Sequence, residues 1–252
     1  MTLQTGMCSV TLRRLPAGAV LDLAAAAGLA CVEWGADRHV PPGDPRAAVA
    51  LRQRGLDLGV AVAAYGSYFR AGVDDVADFA TVLAAAVALG APRVRIWAGA
   101  AGSAGVSADE RRAVVAGARA AVERAADAGI LVAFEFHGDT LTDTVASTLD
   151  LLGEVPGAAT YWQPPVGAPD AEALAGLAAV LDHLAAVHVF SWWPRTERLP
   201  LTARERLWRE TFTLLRGCEL DRDLDALLEF VPGDDPAVVA TEAATLRDLA
   251  GA

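Results

Sequence analysis

The sequence predicts a single-domain α/β chain, residues 1–252, closed into a (β/α)8 barrel. Three observations carry that prediction. Eight short apolar segments rich in β-branched or aromatic residues alternate with eight Ala-rich helical stretches within 252 residues. Gly, Pro or polar residues punctuate the boundaries. The alternative, an open doubly wound sheet, would place a Gly-rich phosphate loop after its first strand, and Thr11-Leu12-Arg13-Arg14-Leu15 is not one.

The first strand is expected over Met7–Leu12 and its helix over Pro16–Gly28. The second pair is Cys31–Gly35 and Asp44–Gly55, and the third is Leu58–Tyr65 and Asp74–Gly90. The fourth strand, Arg93–Gly99, leads to helix Ser107–Gly129, where Ser107 and Glu110 have capping-box spacing and Gly129 supplies the stop. The fifth strand, Ile130–His137, precedes helix Thr142–Gly153, with Asp139 and Asp143 as its expected caps. The sixth pair is Ala159–Gln163 and Asp170–Ala185. After the seventh strand, Val187–Trp192, comes the longest excursion; its helix, Thr202–Gly217, opens on a second capping-box spacing at Thr202 and Glu205. The eighth strand is Leu227–Val231, and Pro236 suits the first turn of the last helix, Pro236–Ala250.

Composition excludes several classes of function. The formal net charge of −11 repels a phosphate backbone, so nucleic acid is not an expected partner. Every base is Arg; without Lys, neither a Schiff-base lysine nor a P-loop lysine exists. Cys8, Cys31 and Cys218 form no CxxC pair, so the sequence offers no thiolate metal site and fits a reducing compartment. No signal peptide opens the chain, and the longest apolar stretch, Phe79–Pro92, is too short to span a bilayer. A cytoplasmic protein with no membrane partner is the expectation.

In such a barrel the chemistry belongs at the C-terminal ends of the strands, and alternation says which side chains point inward. Ala133, Glu135 and His137 share a face; so do Tyr161 and Gln163, then Ala186, His188 and Phe190, then Leu227, Glu229 and Val231. Phe134, Phe136, Val189, Leu228 and Phe230 are left for the sheet–helix layer. Glu135, Gln163, His188 and Glu229 therefore converge at the mouth from four consecutive strands. Taken singly, a strand His is most often a hydrogen-bonded core residue and a strand Glu the partner of an Arg. Four polar groups on otherwise apolar strands are costly to bury unpaired, at a few kcal/mol each. As donors they form a mixed oxygen and nitrogen set suited to Mn2+, Mg2+, Co2+ or Zn2+.

Val-Glu-Trp-Gly (32–35), Arg-Ile-Trp-Ala-Gly (95–99), Phe-Glu-Phe-His (134–137), Val-His-Val-Phe-Ser-Trp (187–192) and Leu-Glu-Phe-Val-Pro-Gly (228–233) resemble the sugar phosphate isomerase/epimerase family. That family lies within the xylose isomerase-like TIM barrel superfamily, and the resemblance extends over essentially the whole chain. It implies a divalent metal ion held by Glu135, Gln163, His188 and Glu229. It further implies that Glu135 and Glu229 act as the acid/base pair in proton transfer next to a carbonyl. The family pattern has Asp where this chain has Gln163, which removes one negative charge from the set. The implied activity is isomerisation or epimerisation of an unphosphorylated sugar or related polyhydroxylated metabolite. The alternatives are a lyase or dehydratase on the same metal, or a non-catalytic partner subunit with a degenerate site. A DNA-repair endonuclease of the superfamily would need a richer His/Asp/Glu cluster and a basic face, and this chain has four His.

Around the quartet, Glu33 and Arg95 fall on inward faces and read as a charge pair near the mouth or as substrate contacts. Trp97, Trp162, Trp192 and Trp193 end their strands and suit the wall of a sugar-type pocket, with Trp97 and Trp192 taken as substrate contacts. Tyr65, Ser67, Tyr68 and Phe69 follow the third strand and could roof it. Arg195 follows His188 as the expected anion or hydroxyl contact, with Arg198 as the alternate. His137 either orients Glu135 or touches substrate. Barrels of this kind commonly pair, which makes a homodimer compatible with the sequence.

Overall fold

In the computed structural model, which describes residues 2–218 and 222–251, eight parallel strands close into a barrel. In chain order these are β1 (Leu3–Cys8), β2 (Cys31–Gly35), β3 (Ala61–Arg70), β4 (Arg93–Trp97), β5 (Leu131–Phe134), β6 (Ala159–Trp162), β7 (Leu184–Val189) and, beyond a two-stranded hairpin of β8 (Ser191–Trp192) and β9 (Arg198–Leu199), β10 (Leu224–Leu228). β1 pairs with both β2 and β10, so the sheet has no free edge. The covering helices are α1 (Ala17–Ala26), α2 (Pro45–Leu58), α3 (Val76–Leu89), α4 (Ala108–Asp127), α5 (Val145–Glu154), α6 (Asp170–Val180), α7 (Glu205–Arg216) and α8 (Val239–Ala250).

The boundaries depart from the sequence reading where apolar runs are ambiguous. Met7–Leu12 is wholly buried, but only its first two residues are strand; Ser9–Leu12 is a 3-10 turn, and β1 starts at Leu3. A continuous buried run shows no period to tell the two apart. Leu58 belongs to α2, and β3 runs on to Arg70. β7 begins at Leu184 rather than Val187, and β10 ends before Glu229. The capping box at Ser107 and Glu110 is formed, with both reciprocal bonds present. That at Thr202 is not, because Leu201–Arg204 is a 3-10 turn and α7 starts at Glu205. Thr144, not Asp139 or Asp143, caps α5 by accepting from the Ser147 N–H at 3.3 Å.

Two apolar layers result. The larger core lies between sheet and helices and holds Trp34, Phe79, Phe134, Trp162, Trp208 and Phe212. The smaller lines the barrel interior and is built largely from Ala63, Ala64, Ala133, Ala159 and Ala186. Those short side chains leave room inside the cylinder for two arginines. Arg93, toward the N-terminal end, pairs with Asp225 and donates from Nε to the Ala63 carbonyl at 2.9 Å. Arg95, one inward position further along β4, lies toward the opposite mouth. Gly66 is required beside it: a Cβ there would stand 2.7 Å from Glu33 Oε1 and 2.9 Å from Arg95 Nη2.

Candidate active site

Each functional side chain is delivered by a strand end. β4 brings Arg95 and Trp97, and β7 brings His188, while Glu135, Gln163 and Glu229 are the residues that directly follow β5, β6 and β10. Arg95 is buried between two carboxylates. Its Nε donates to Glu33 Oε1 at 2.9 Å, and its Nη1 pairs with Glu135 Oε2. Trp97 Nε1 also donates to Glu135 Oε2, at 2.5 Å. Burial opposes ionisation of Glu33, but Arg95 and His188 together outweigh it and hold the acid well below the usual carboxylate range. Glu33 and Arg95 thus form a charge pair inside the barrel, as one of the two sequence readings had it.

His188 is the hub of the remaining groups. It is fully buried, with Nδ1 3.1 Å from Gln163 Oε1, 3.2 Å from Glu229 Oε2 and 3.9 Å from Glu135 Oε1. The structure therefore brings the four expected donors together. An ion with bonds of about 2.1 Å holds neighbouring ligand atoms about 3.0 to 3.4 Å apart; the Gln163 and Glu229 oxygens stand at that spacing from Nδ1, whereas Glu135 Oε1 lies beyond it. Burial works against a proton on His188, while Cys8 and Glu229 favour it and hold the imidazole above its ordinary range. Burial also opposes charge on Glu229, but His188, with Arg95, outweighs it and holds the carboxyl below its ordinary pKa. A cation bound to this set displaces the proton.

The opposite edge of the ring was missed by the sequence reading. Cys8 Sγ, a ring nitrogen of His188 and a Glu229 oxygen all lie within 4.8 Å of one another. The expectation of no thiolate near a metal is corrected here: barrel closure sets β1 against β10 and needs no CxxC spacing. Burial pushes the Cys8 thiol up to about 12, so a proton stays on it unless a metal displaces it. His188 Nε2, which lies 3.7 Å from Glu33 Oε1, and the other Glu33 oxygen, Oε2, are buried without a hydrogen-bond partner among the described residues.

Above the quartet opens a cavity of about 360 Å3, lined among others by Arg13, Tyr68, Trp97, His137, Phe190, Trp192 and Phe230, with Glu135, Gln163 and Glu229 on its wall. Trp97 stacks on His137 with ring centroids 4.8 Å apart, and Trp192 packs between Phe190 and Phe230. Among the described residues His137 makes no hydrogen bond to the quartet; its Nδ1 donates to the Gly138 carbonyl at 2.6 Å. Two tryptophans expected in the wall lie elsewhere. Trp162 is buried against Trp208, because alternation turns Tyr161 inward and Trp162 toward the helices. Trp193 is 41% exposed and lies under Arg204 on another face. Phe230, assigned to the sheet–helix layer, instead lines the cavity: its φ of 60° breaks the alternation after Glu229. Such a backbone costs a non-glycine residue of order 1–3 kcal/mol and is concentrated at functional sites. Of the segment after β3, Tyr68 reaches the cavity, whereas Tyr65 and Phe69 are core residues and Ser67 bonds the Arg95 carbonyl at 2.6 Å.

Arg195, expected to contact substrate, is not part of the cavity wall; its hairpin loop is exposed and its N–H bonds Glu197. Arg198 is held by Asp234 and lies 4.0 Å over the Phe230 ring. The arginine at the rim is Arg13, from the turn after β1. No signal in Thr11-Leu12-Arg13-Arg14-Leu15 marks it, since its position depends on the 3-10 turn. Among the described residues no helix is long and apolar enough to cross a membrane.

Known proteins share this architecture. A 63-residue stretch is 46% identical to a 3-dehydroshikimate dehydratase of Bacillus anthracis; it is 25% of this chain and spans only 22% of that relative's length. The structure of AsbF, the probable 3-DHS dehydratase involved in petrobactin synthesis in Bacillus anthracis, superposes with a TM-score of 0.81 at 20% identity, over 96% of this chain and 98% of that one. A D-allulose 3-epimerase from Methylomonas sp. gives 0.71 at 15% identity, over 98% and 97% of the two chains. The IOLI protein with a bound zinc atom gives 0.72 at 12% identity, over 98% of each. At these identities the superpositions establish the fold alone. The model of the xylose isomerase-like TIM barrel family matches residues 21–198, and the chain belongs to that family.

Proposed function

We propose that this chain is a divalent-metal-dependent lyase that removes a proton next to a carbonyl and expels water. Its proposed substrate class is a hydroxylated cyclic keto acid of the 3-dehydroshikimate type. The observation that carries the metal is the grouping of three side-chain oxygens 3.1, 3.2 and 3.9 Å from His188 Nδ1 at the base of an aromatic-walled cavity. The 46% identical stretch supports dehydration over other reactions of the fold.

Glu135, Gln163, His188 and Glu229 would hold the ion. When bound, it stabilises the negative charge that develops on the substrate's carbonyl oxygen as the proton leaves. The chain supplies the proton chemistry. A carbonyl oxygen only accepts, so the 2.6 Å bond to Gly138 fixes the His137 proton on Nδ1 and leaves the Nε2 lone pair free. Stacking on Trp97 holds that ring at the cavity wall. Nε2 takes the proton from the carbon beside the carbonyl; the hydroxyl on the next carbon then leaves with that proton as water. Trp97, Phe190, Trp192 and Phe230 offer the slot in which a flat ring is held.

The isomerase or epimerase reading uses the same cation, with Glu135 and Glu229 as the acid/base pair. Both carboxylates reach the cavity, which favours it. Against it, Glu135 Oε2 is already held by Arg95 and Trp97.

The test is incubation with 3-dehydroshikimate after loading with Mn2+, Mg2+, Co2+ or Zn2+ in turn. Loss of water from that ring completes an aromatic system, read as new near-ultraviolet absorbance. We expect turnover by the wild type, and none by His137→Asn, which should still bind metal. Glu135→Gln and Glu229→Gln should also abolish turnover with the fold intact. Deuterium uptake from D2O into a keto sugar, with no loss of water from any substrate, would instead establish the isomerase. Wild-type rates in His137→Asn would remove the proposed base.

A further inference from the structure

We propose that Arg13 forms a carboxylate subsite at the cavity rim, which receives the acid group of the substrate; this rests on the reading of the substrate as a ring acid. An anion approaching a chain of net charge −11 needs a local cation. Of the arginines among the described residues, only Arg13 and Arg95 line the cavity. Arg95 is enclosed by Glu33 and Glu135 and is 2% exposed. Arg13 is half exposed, and its guanidinium is already held at two of its three nitrogens. Nε bonds Asp37 Oδ2 at 2.9 Å, and Nη2 donates to the Tyr68 hydroxyl at 2.5 Å. Among the described residues no partner takes Nη1.

The anchors make this a prepared site. Tyr68 packs against Trp97 with ring centroids 5.8 Å apart, and Trp97 in turn bonds Glu135. The guanidinium is therefore tied through two aromatic rings to the floor where the donor quartet lies. A guanidinium fixed in advance loses little freedom when it binds, and its fork matches a carboxylate. With the cation site at the buried end and Arg13 at the open end, a flat ring between the aromatic walls meets a receptor for its carbonyl and hydroxyl oxygens at one side. It meets a receptor for its carboxylate at the other.

The experiment compares two ligands that differ only in the acid group: 3,4-dihydroxybenzoate and catechol, titrated by calorimetry into the metal-loaded protein. The wild type should prefer the acid by about tenfold to a hundredfold, the range of a charge-assisted contact. Arg13→Met should bind both ligands alike, with catechol affinity unchanged, and Arg13→Lys should keep part of the preference. A full preference surviving in Arg13→Met, or no preference in the wild type, overturns the subsite. Turnover is scored separately. A wild type that shows Arg13-dependent preference but eliminates no water loses the reaction and keeps the subsite. A wild type that dehydrates, with KM unchanged in Arg13→Met, loses the subsite and keeps the reaction.

Discussion

Gln163 turns its side-chain carbonyl onto His188, with Oε1 3.1 Å from Nδ1, while Glu229 Oε2 approaches the same nitrogen at 3.2 Å. The amide offers a lone pair without a charge. The set therefore presents a formal charge of −2 from Glu135 and Glu229, and Arg95 offsets part of it. Affinity for a hard cation rises with the number of charged ligands. Gln163→Asp is expected to tighten Mn2+ or Mg2+ about tenfold or more, measured by competition with a chelating dye. Gln163→Leu, which removes the donor, is expected to weaken every ion tested.

The ion pair behind the quartet depends on a glycine. At Gly66 a methyl group would stand 2.7 Å from Glu33 Oε1 and 2.9 Å from Arg95 Nη2, so Gly66→Ala must push the pair apart. Overpacking of this kind costs about 1–3 kcal/mol. Arg95→Met is expected to be worse, about 3–5 kcal/mol, because it leaves two buried carboxylates without their cation. Urea denaturation of both variants checks the order. Equal midpoints for Arg95→Met and wild type would mean the pair contributes nothing.

Glu242 on α8 is buried and accepts the Leu201 N–H at 2.8 Å. Burial raises its pKa, and the Leu201 bond offsets only part of that rise. A group with a raised folded pKa contributes stability that is complete below the unfolded value, about 4.3, and is lost as pH rises through the folded value. Glu242→Gln keeps the acceptor and removes the ionisation. The variant should have a higher urea midpoint than wild type at pH 7.5 and the same midpoint near pH 4. A variant no more stable at pH 7.5 would contradict this assignment.

The eightfold strand–helix alternation could be read because each strand of a closed parallel barrel is a short apolar run with a punctuated end. Period two then put Glu135, Gln163, His188 and Glu229 on inward faces, and in the structure their donor atoms gather at one ring nitrogen. What could not be read depends on contacts between distant segments. Cys8 meets His188 and Glu229 only because β1 closes against β10. Arg13 reaches the rim only because Ser9–Leu12 coils into a 3-10 turn rather than extending the strand. Phe230 enters the cavity through one left-handed residue, which no period shows. Arg195 had the right distance in sequence from His188, but the β8–β9 hairpin carries it away from the cavity.

The most direct test is metal stoichiometry. Protein purified without chelator is dialysed to equilibrium against Mn2+, Co2+ or Zn2+ and analysed for the element alongside His188→Ala, with circular dichroism confirming that both are folded. The account predicts one ion per wild-type chain for at least one of these metals, and none in His188→Ala. A wild type that retains no ion, or a His188→Ala variant that keeps a full equivalent, would contradict it.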